Sequence, residues 1–280
     1  MTGEAAPAAV ERGSRNLLTR VAAALVLAPA AVAIAWAGGW LWAGLVTVSA
    51  VGLYLEWLMI VGITEDKRAL AAGVVALVAA GSSLALGRLE IALGILVLGM
   101  AGVTLLSPQK RGWAATGFCY AAAAEVASVL VRLDAIGGLV ALILVLLIVW
   151  VTDIGGYFAG RGLGGPKLWP RVSPKKTWAG AIGGFIASLV IAAGFAGFGL
   201  GRIGPLLLLG AALSVASQLG DLFESAVKRR FGVKDSSRII PGHGGLLDRL
   251  DGYVAAIVLA AVLGVLRGGV DGVGRGLMVW

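Results

Sequence analysis

Five acidic residues lie at the ends of apolar stretches, where a carboxylate in a membrane is costly unless it faces a polar cavity, a cation or a partner. They are Asp153, Asp221, Glu224, Asp248 and Asp251. Asp221 and Glu224 are three residues apart, as are Asp248 and Asp251, so each pair would share one helix face. Carboxylate oxygens are ligands that Mg²⁺ prefers. The pattern therefore predicts a site for one Mg²⁺ ion or a pair of them, with these five residues as ligands.

Ion pairing is the alternative explanation for any single acid. Glu224 lies four residues before Lys228, which is a favourable helical pair, and Asp248 is next to Arg249. Pairing does not account for the convergence of the whole set on one boundary, which favours a functional site. Glu56 and Glu125 also lie inside apolar runs, and the pattern assigns neither of them a role.

A basic segment, residues 161–176, contains no acid. Its bases are Arg161, Lys167, Arg171, Lys175 and Lys176. Two prolines within it predict a rigid loop, and Ser173 or Thr177 is suited to cap the helix that follows. A cationic loop at a helix N-terminus is typical of sites that bind phosphate oxygens.

The single histidine of the chain, His243, stands in a glycine-rich setting. Gly244 and Gly245 follow it and allow positive φ and close backbone approach to a ligand. A lone histidine is more often structural than catalytic. Here the glycines and the neighbouring acids favour a phosphate contact or an acid/base role.

Composition indicates a membrane protein, because 59% of the 280 residues are hydrophobic and only 14% are charged. Mean hydropathy is +0.94. Nine apolar stretches predict an all-α, polytopic transmembrane bundle. They are residues 21–36, 40–61, 69–87, 89–106, 113–131, 135–152, 177–200, 204–222 and 252–266. The lone Cys119 excludes an internal disulfide or a thiolate metal site.

Lysine and arginine in the loops predict the orientation. They are concentrated in the N-terminal tail, in alternate short loops and in two strongly basic loops, residues 161–176 and 224–249. This places the N-terminus and both basic loops in the cytoplasm. The chain is thereby divided into a cytoplasmic tail (1–20), N-terminal transmembrane helices (21–152) and a C-terminal catalytic region (153–280).

The residues from 150 to 253 resemble the phosphatidate cytidylyltransferase (CDP-diacylglycerol synthase) family. The pattern Ser-x-apolar-Lys-Arg, Lys-Asp and His-Gly-Gly-x-x-Asp-Arg-x-Asp is matched from Ser225 to Asp251. The runs that begin at Asp153, Lys167 and Ser217 are similar to other conserved parts of the family. Ala179 departs from the glutamate or glutamine that relatives often carry there, while the lysines of the segment are kept.

The resemblance implies transfer of CMP from CTP to phosphatidic acid, with release of pyrophosphate. It implies that Asp221 and Asp248 hold the metal, with support from Glu224 and Asp251. The catalytic set that it implies is Asp221, Lys228, His243 and Asp248. The substrate-binding set is Lys167, Ser173, Lys175, Lys176, Thr177, Arg229, Lys234, Gly244, Gly245 and Arg249.

The expected partners are CTP, phosphatidic acid and bilayer lipid, without nucleic acid and with a homodimer allowed. The expected location is a bacterial-type inner (plasma) membrane, with the active site on the cytoplasmic side. Alternatives are another membrane lipid phosphotransferase, such as a CTP-dependent polyprenol kinase, and a transporter. A transporter is disfavoured, because its polar residues would lie near the bilayer midplane rather than at the span ends.

Overall fold

The computed structural model describes residues 29–63, 67–237 and 244–280, which form long helices joined by short connections. Helices α1 to α8 are, in chain order, Gly39–Val61, Lys67–Ala85, Leu89–Leu106, Arg111–Leu133, Gly138–Gly162, Trp178–Gly197, Ile203–Arg230 and Leu247–Gly268. These eight are long and apolar enough to cross a membrane. Residues 29–37 are also helical, and the rest of the predicted first span lies outside the described residues. The predicted all-α, polytopic class is confirmed.

Two short segments, a hairpin and a C-terminal turn with a helix, complete the described chain. Between α5 and α6, strands β1 (Lys167–Trp169) and β2 (Ser173–Thr177) form an antiparallel hairpin, with Lys167 opposite Thr177. The predicted rigid basic loop is therefore largely a β-hairpin. After α8, a 3₁₀ turn at Val270–Gly272 leads into the short helix α9, Val273–Met278.

Three helices extend at least five residues further than the apolar stretches predicted, in each case at the end that carries the acids. Helix α5 ends at Gly162 instead of residue 152, α7 ends at Arg230 instead of residue 222, and α8 begins at Leu247 instead of residue 252. Apolarity marks only the part of a helix that lies in hydrocarbon, whereas the backbone continues as helix beyond it. The acids thus project from ordered helices, and part of each predicted basic loop is helical.

Small residues bring α5 and α6 into close contact beside the hairpin. A Cβ atom on Gly180 would lie 2.8 Å from the carbonyl oxygen of Gly156, and one on Gly155 would lie 3.1 Å from that of Gly183. Such separations leave no room for a larger side chain, as is common between membrane helices. The close packing fixes the hairpin, which joins these two helices, against their ends.

Candidate active site

A cavity of about 590 Å³ lies between α5, the hairpin, α6 and α7. Charged and polar side chains of both signs line it, including Asp153, Arg161, Lys175, Lys176, Thr177 and Asp221. The basic segment and the acid Asp221 of α7 therefore line the same cavity. A cavity with this lining can bind an anion and a cation side by side.

The hairpin carries the lysines of this cavity. Thr177 caps α6, because its Oγ1 accepts a hydrogen bond from the backbone N–H of Gly180 at 3.1 Å. The prediction of a cap at Ser173 or Thr177 is thus confirmed for Thr177. Lys176, one residue earlier, forms an ion pair with Asp221 of α7. Asp221 also accepts a hydrogen bond from the Ser225 hydroxyl at 3.3 Å.

Asp248 is the centre of a second polar group. Its Oδ1 accepts from Lys228 Nζ at 2.5 Å, and its Oδ2 accepts from the backbone N–H groups of Ser236 (3.0 Å) and Gly245 (2.9 Å). Lys228 also pairs with Glu224 at 2.6 Å and is buried. Asp248 therefore holds Lys228 and the two ends of the α7–α8 connection together.

Four carboxylates, those of Asp153, Asp221, Glu224 and Asp251, are close enough for their charges to repel. Glu224 is buried, and its Oε1 has no hydrogen-bond partner among the described residues. A bound cation would reduce the repulsion among the carboxylates and could provide a partner for the unpaired Glu224 oxygen. Nowhere in the described ranges do three acidic, His or Cys side chains converge closely enough to hold an ion by themselves. Mg²⁺ fits such a site, since it often binds one or two carboxylates together with substrate phosphates and waters.

Glycines bring the acids of α7 and α8 together, a feature that the sequence motifs do not reveal. A Cβ atom on Gly220 would lie 2.6 Å from the carbonyl oxygen of Asp251, and one on Gly252 would lie 2.5 Å from the Ser217 hydroxyl. The two helices therefore touch beside Asp221 and Asp251. Gly220 directly precedes Asp221, and Gly252 directly follows Asp251. This adjacency of glycine and acid is the sequence feature that indicates the close contact.

The remaining predicted residues divide by position. Arg249 is exposed and lies close enough to Asp153 for their charges to attract. Lys167, Arg229 and Lys234 are exposed, and Arg229 donates to the carbonyl oxygen of Val233 at 3.1 Å. Gly244 has the expected positive φ, +78°, and Gly245 is buried. His243 lies outside the described residues.

The fold and the cavity together describe an integral membrane protein with a site for charged groups at the ends of its helices. A model of the cytidylyltransferase family matches residues 18–266. Because this match covers most of the chain, the protein belongs to the cytidylyltransferase family, as the motif resemblance predicts.

Curated relatives agree with this assignment. The chain is 42% identical over 266 residues to a phosphatidate cytidylyltransferase of Brucella suis biovar 1 (strain 1330), covering 90% of this chain and 94% of the relative. It is 44% identical over 165 residues to one of Staphylococcus haemolyticus (57% of this chain, 63% of the relative). It is 48% identical over 130 residues to one of Haemophilus influenzae (44% and 45%). The two shorter matches cover roughly half of each chain.

Proposed function

We propose that this protein transfers CMP from CTP to phosphatidic acid, forming CDP-diacylglycerol and pyrophosphate. The observation that carries the proposal is the cavity in which Lys175 and Lys176 face Asp153 and Asp221. Its position beside the ends of membrane-length helices suits a reaction between a water-soluble nucleotide and a lipid. The phosphatidate cytidylyltransferases that share 42% identity with this chain support the choice of substrates.

The reaction is a displacement at phosphorus. An oxygen of the lipid phosphate attacks the α-phosphorus of CTP, and a new P–O bond forms while the bond to the bridging β-oxygen breaks. The electron pair of that bond leaves with pyrophosphate. A phosphate monoester has a second pKa of about 6, so it is largely dianionic at neutral pH and needs no strong general base. Two anions must be brought together, so positioning and charge neutralisation dominate catalysis.

The bases around the cavity supply that neutralisation. Lys175 and Lys176 extend from the hairpin into the cavity, and Arg161 lines it from α5. Arg249 approaches from α8 on the side of Asp153. These residues would bind the phosphates of CTP and of the lipid from several sides, which aligns the attacking oxygen with the bond that breaks.

The acids suit Mg²⁺, bound as one ion or two. Pairs drawn from Asp153, Asp221, Glu224 and Asp251 would hold each ion, with phosphate oxygens and waters as its other ligands. When bound, Mg²⁺ neutralises charge on the phosphate oxygens and on the departing pyrophosphate. Asp248 would join the set only if Lys228 released it, because both of its oxygens accept hydrogen bonds.

The location belongs to the same proposal. Basic residues cluster at the ends of α5 and α7 and in the hairpin, and such residues favour the cytoplasmic side of an inner membrane. CTP would then enter from the cytoplasm, and phosphatidic acid would enter from the bilayer. A homodimer stays a prediction of the sequence analysis.

An assay of the purified protein with labelled CTP, phosphatidic acid and Mg²⁺ tests the proposal. Wild-type protein is expected to form CDP-diacylglycerol, chelation of Mg²⁺ is expected to stop it, and Asp221→Asn is expected to be nearly inactive. Asp271→Asn, which changes an exposed acid in the 3₁₀ turn after α8, serves as the matched control. Absence of product from wild-type protein, or full activity of Asp221→Asn, would contradict the proposal.

A further inference from the structure

Glu56 lies outside the cavity, on α1, and its side chain is completely buried. Each of its oxygens accepts two hydrogen bonds. Oε1 accepts from the Ser237 hydroxyl (2.7 Å) and the backbone N–H of Leu246 (2.8 Å). Oε2 accepts from the Ser236 hydroxyl (2.7 Å) and the backbone N–H of Leu247 (2.8 Å). Three of the donors belong to the two ends of the α7–α8 connection, and the fourth, Leu247, is the first residue of α8.

This arrangement explains how an acid is tolerated inside an apolar helix. An unpaired buried carboxylate would be very costly, whereas a carboxylate that accepts four hydrogen bonds uses all of its acceptor positions. Two of the donors are backbone N–H groups at the start of α8, where the helix dipole favours negative charge. Leu246, the residue directly before α8, provides no side-chain cap for this end. Glu56 therefore caps α8 from a different helix.

Glu56 is connected through one residue, Ser236, to Asp248 of the candidate active site. The Ser236 hydroxyl lies 2.7 Å from Glu56 Oε2 and 3.0 Å from Asp248 Oδ2. It has one proton for two acceptors, while the Ser236 backbone N–H donates to Asp248. Gly245 completes the contact, because a Cβ atom there would collide with both Glu56 and the Ser236 hydroxyl. A chain of contacts thus runs from Glu56 through Ser236 to Asp248 and its partner Lys228.

We propose that Glu56 is a positioning residue for nucleotidyl transfer, which acts by fixing Ser236 and the start of α8 so that Asp248 and Lys228 keep their places. The inference rests on the proposed function, although Glu56 itself touches no substrate in it. Loss of the anchor displaces Asp248 and Lys228 without removing any group that binds substrate. The expected effect is therefore on kcat rather than on the KM for CTP.

Glu125 provides the matched control. It is also a completely buried glutamate in an apolar helix, α4, but it accepts a hydrogen bond from Thr47 and none from the described residues of the α7–α8 connection. Replacing either glutamate with glutamine removes one buried carboxylate from a helix. Only the Glu56 change leaves donors at residues 236–247 without an acceptor.

The experiment compares Glu56→Gln and Glu125→Gln in the purified full-length protein. Glu56→Gln is expected to lower kcat about ten- to hundredfold, the range that follows a small misplacement of catalytic groups, with KM for CTP within threefold. Peptides covering residues 236–247 are expected to exchange their amide hydrogens faster than in wild type. Glu125→Gln is expected to keep wild-type exchange in these peptides and kcat within about threefold of wild type.

A double-mutant cycle separates positioning from general destabilisation. Because Ser236 connects Glu56 to Asp248, Glu56→Gln combined with Ser236→Ala is expected to lose little more kcat than the worse single variant. Glu125→Gln combined with Ser236→Ala is expected to lower kcat by the product of the two single-variant factors. If Glu56→Gln does not fold, Ser237→Ala, which removes one donor to Glu56, is expected to show the same faster exchange and a smaller fall in kcat.

Unchanged exchange at 236–247, or a kcat within twofold of wild type in folded Glu56→Gln, would overturn the inference. The inference would also be overturned if the Glu56→Gln and Ser236→Ala double variant lowered kcat by the product of the two single-variant factors. Failure of the proposed function looks different. In that case wild-type protein makes no CDP-diacylglycerol, while hydrogen exchange still shows whether Glu56 anchors the connection.

Discussion

Lys176 of the hairpin and Asp221 of α7 form an ion pair at the cavity, and each side chain is 28% exposed. A pair that is partly open to solvent contributes little to stability. Each of the two residues can therefore exchange the other for a different partner at little cost in stability. In the proposed reaction, Lys176 would exchange Asp221 for a phosphate oxygen while Asp221 would exchange Lys176 for a cation.

Lys176 is expected to act as a phosphate ligand. Lys176→Met is expected to raise the KM for CTP about ten- to hundredfold, equivalent to the roughly 1.5–3 kcal/mol of a hydrogen bond to a charged group. Its thermal stability is expected to stay near that of wild type. Arg171→Met, at an exposed position in the turn of the same hairpin, is the control and is expected to keep its KM within twofold. Equal effects of the two changes would contradict the assignment.

Lys228 is expected to behave differently, because it is buried between two carboxylates. It pairs with Asp248 at 2.5 Å and with Glu224 at 2.6 Å. Lys228→Met leaves both acids without their cation, which is expected to lower the free energy of unfolding by about 3–5 kcal/mol and to abolish activity. Arg230→Met, which removes an exposed side chain over Trp113, is expected to cost about 0.5–1 kcal/mol. Thermal unfolding in detergent measures both, and a stable Lys228→Met protein would contradict the prediction.

The contact between α7 and α8 can be tested at Gly220. Gly220→Ala is expected to push the helices apart, since its Cβ would lie 2.6 Å from the carbonyl oxygen of Asp251. Overpacking is expected to lower the free energy of unfolding by about 1–3 kcal/mol. Because the acids of the two helices move apart, kcat is expected to fall as well. Gly194→Ala, in α6, places its methyl group in open space and is the control. Normal kcat in Gly220→Ala would show that the separation of the acids is not critical.

The parts of the fold that sequence reasoning predicted well depend on local properties. An apolar run long enough to cross a membrane is encoded within the run itself, so α3 has the predicted ends, residues 89 and 106. The cap at Thr177 is also local, because the hydroxyl bonds to an N–H three residues later. The convergence of Lys176 and Asp221 could be predicted because two adjacent spans must return the chain to the same membrane face.

Features that depend on distant contacts were not predictable in this way. Glu56 and Leu247 are 191 residues apart, and nothing in the apolar run around Glu56 indicates which donors it meets. The predicted end of α5 is too early because Asp153 and the glycines after it interrupt the apolar run, whereas the helix continues to Gly162. Close packing at Gly220 depends on how α7 and α8 cross, which no single helix determines.

Asp134 offers a test of pH dependence outside the membrane-spanning segments. Burial alone would raise the pKa of Asp134, but hydrogen bonds from Arg275, Ile136 and Gly137 hold that pKa below its usual value. Its stabilising contribution is therefore fully present above the unfolded-state pKa of about 3.9 and is lost as pH falls through the lower folded-state pKa. Asp134→Asn is expected to lower the melting temperature at neutral pH. The gap to wild type is expected to narrow below about pH 4.

Melting temperatures of wild type and Asp134→Asn across pH 3 to 8 check this expectation. Asp271→Asn changes an exposed acid in the 3₁₀ turn after α8. Its melting temperature is expected to differ from that of wild type by close to zero across this pH range. A gap for Asp134→Asn that grows as the pH falls would have the wrong sign and would contradict the assignment of Asp134 as an ionised anchor for Arg275.

Membrane orientation can be tested with single cysteines. Cys119→Ser removes the only native thiol, after which Arg171→Cys places a thiol in the hairpin turn and Ile136→Cys places one in the exposed connection between α4 and α5. Helix α5 runs between these positions, so they lie on opposite faces of the membrane. Because basic residues are retained in the cytoplasm, residue 136 is expected to react with an impermeant maleimide in right-side-out vesicles. Residue 171 is expected to react only in inverted vesicles, and the reverse pattern would place the active site on the outer face, where CTP would not reach it.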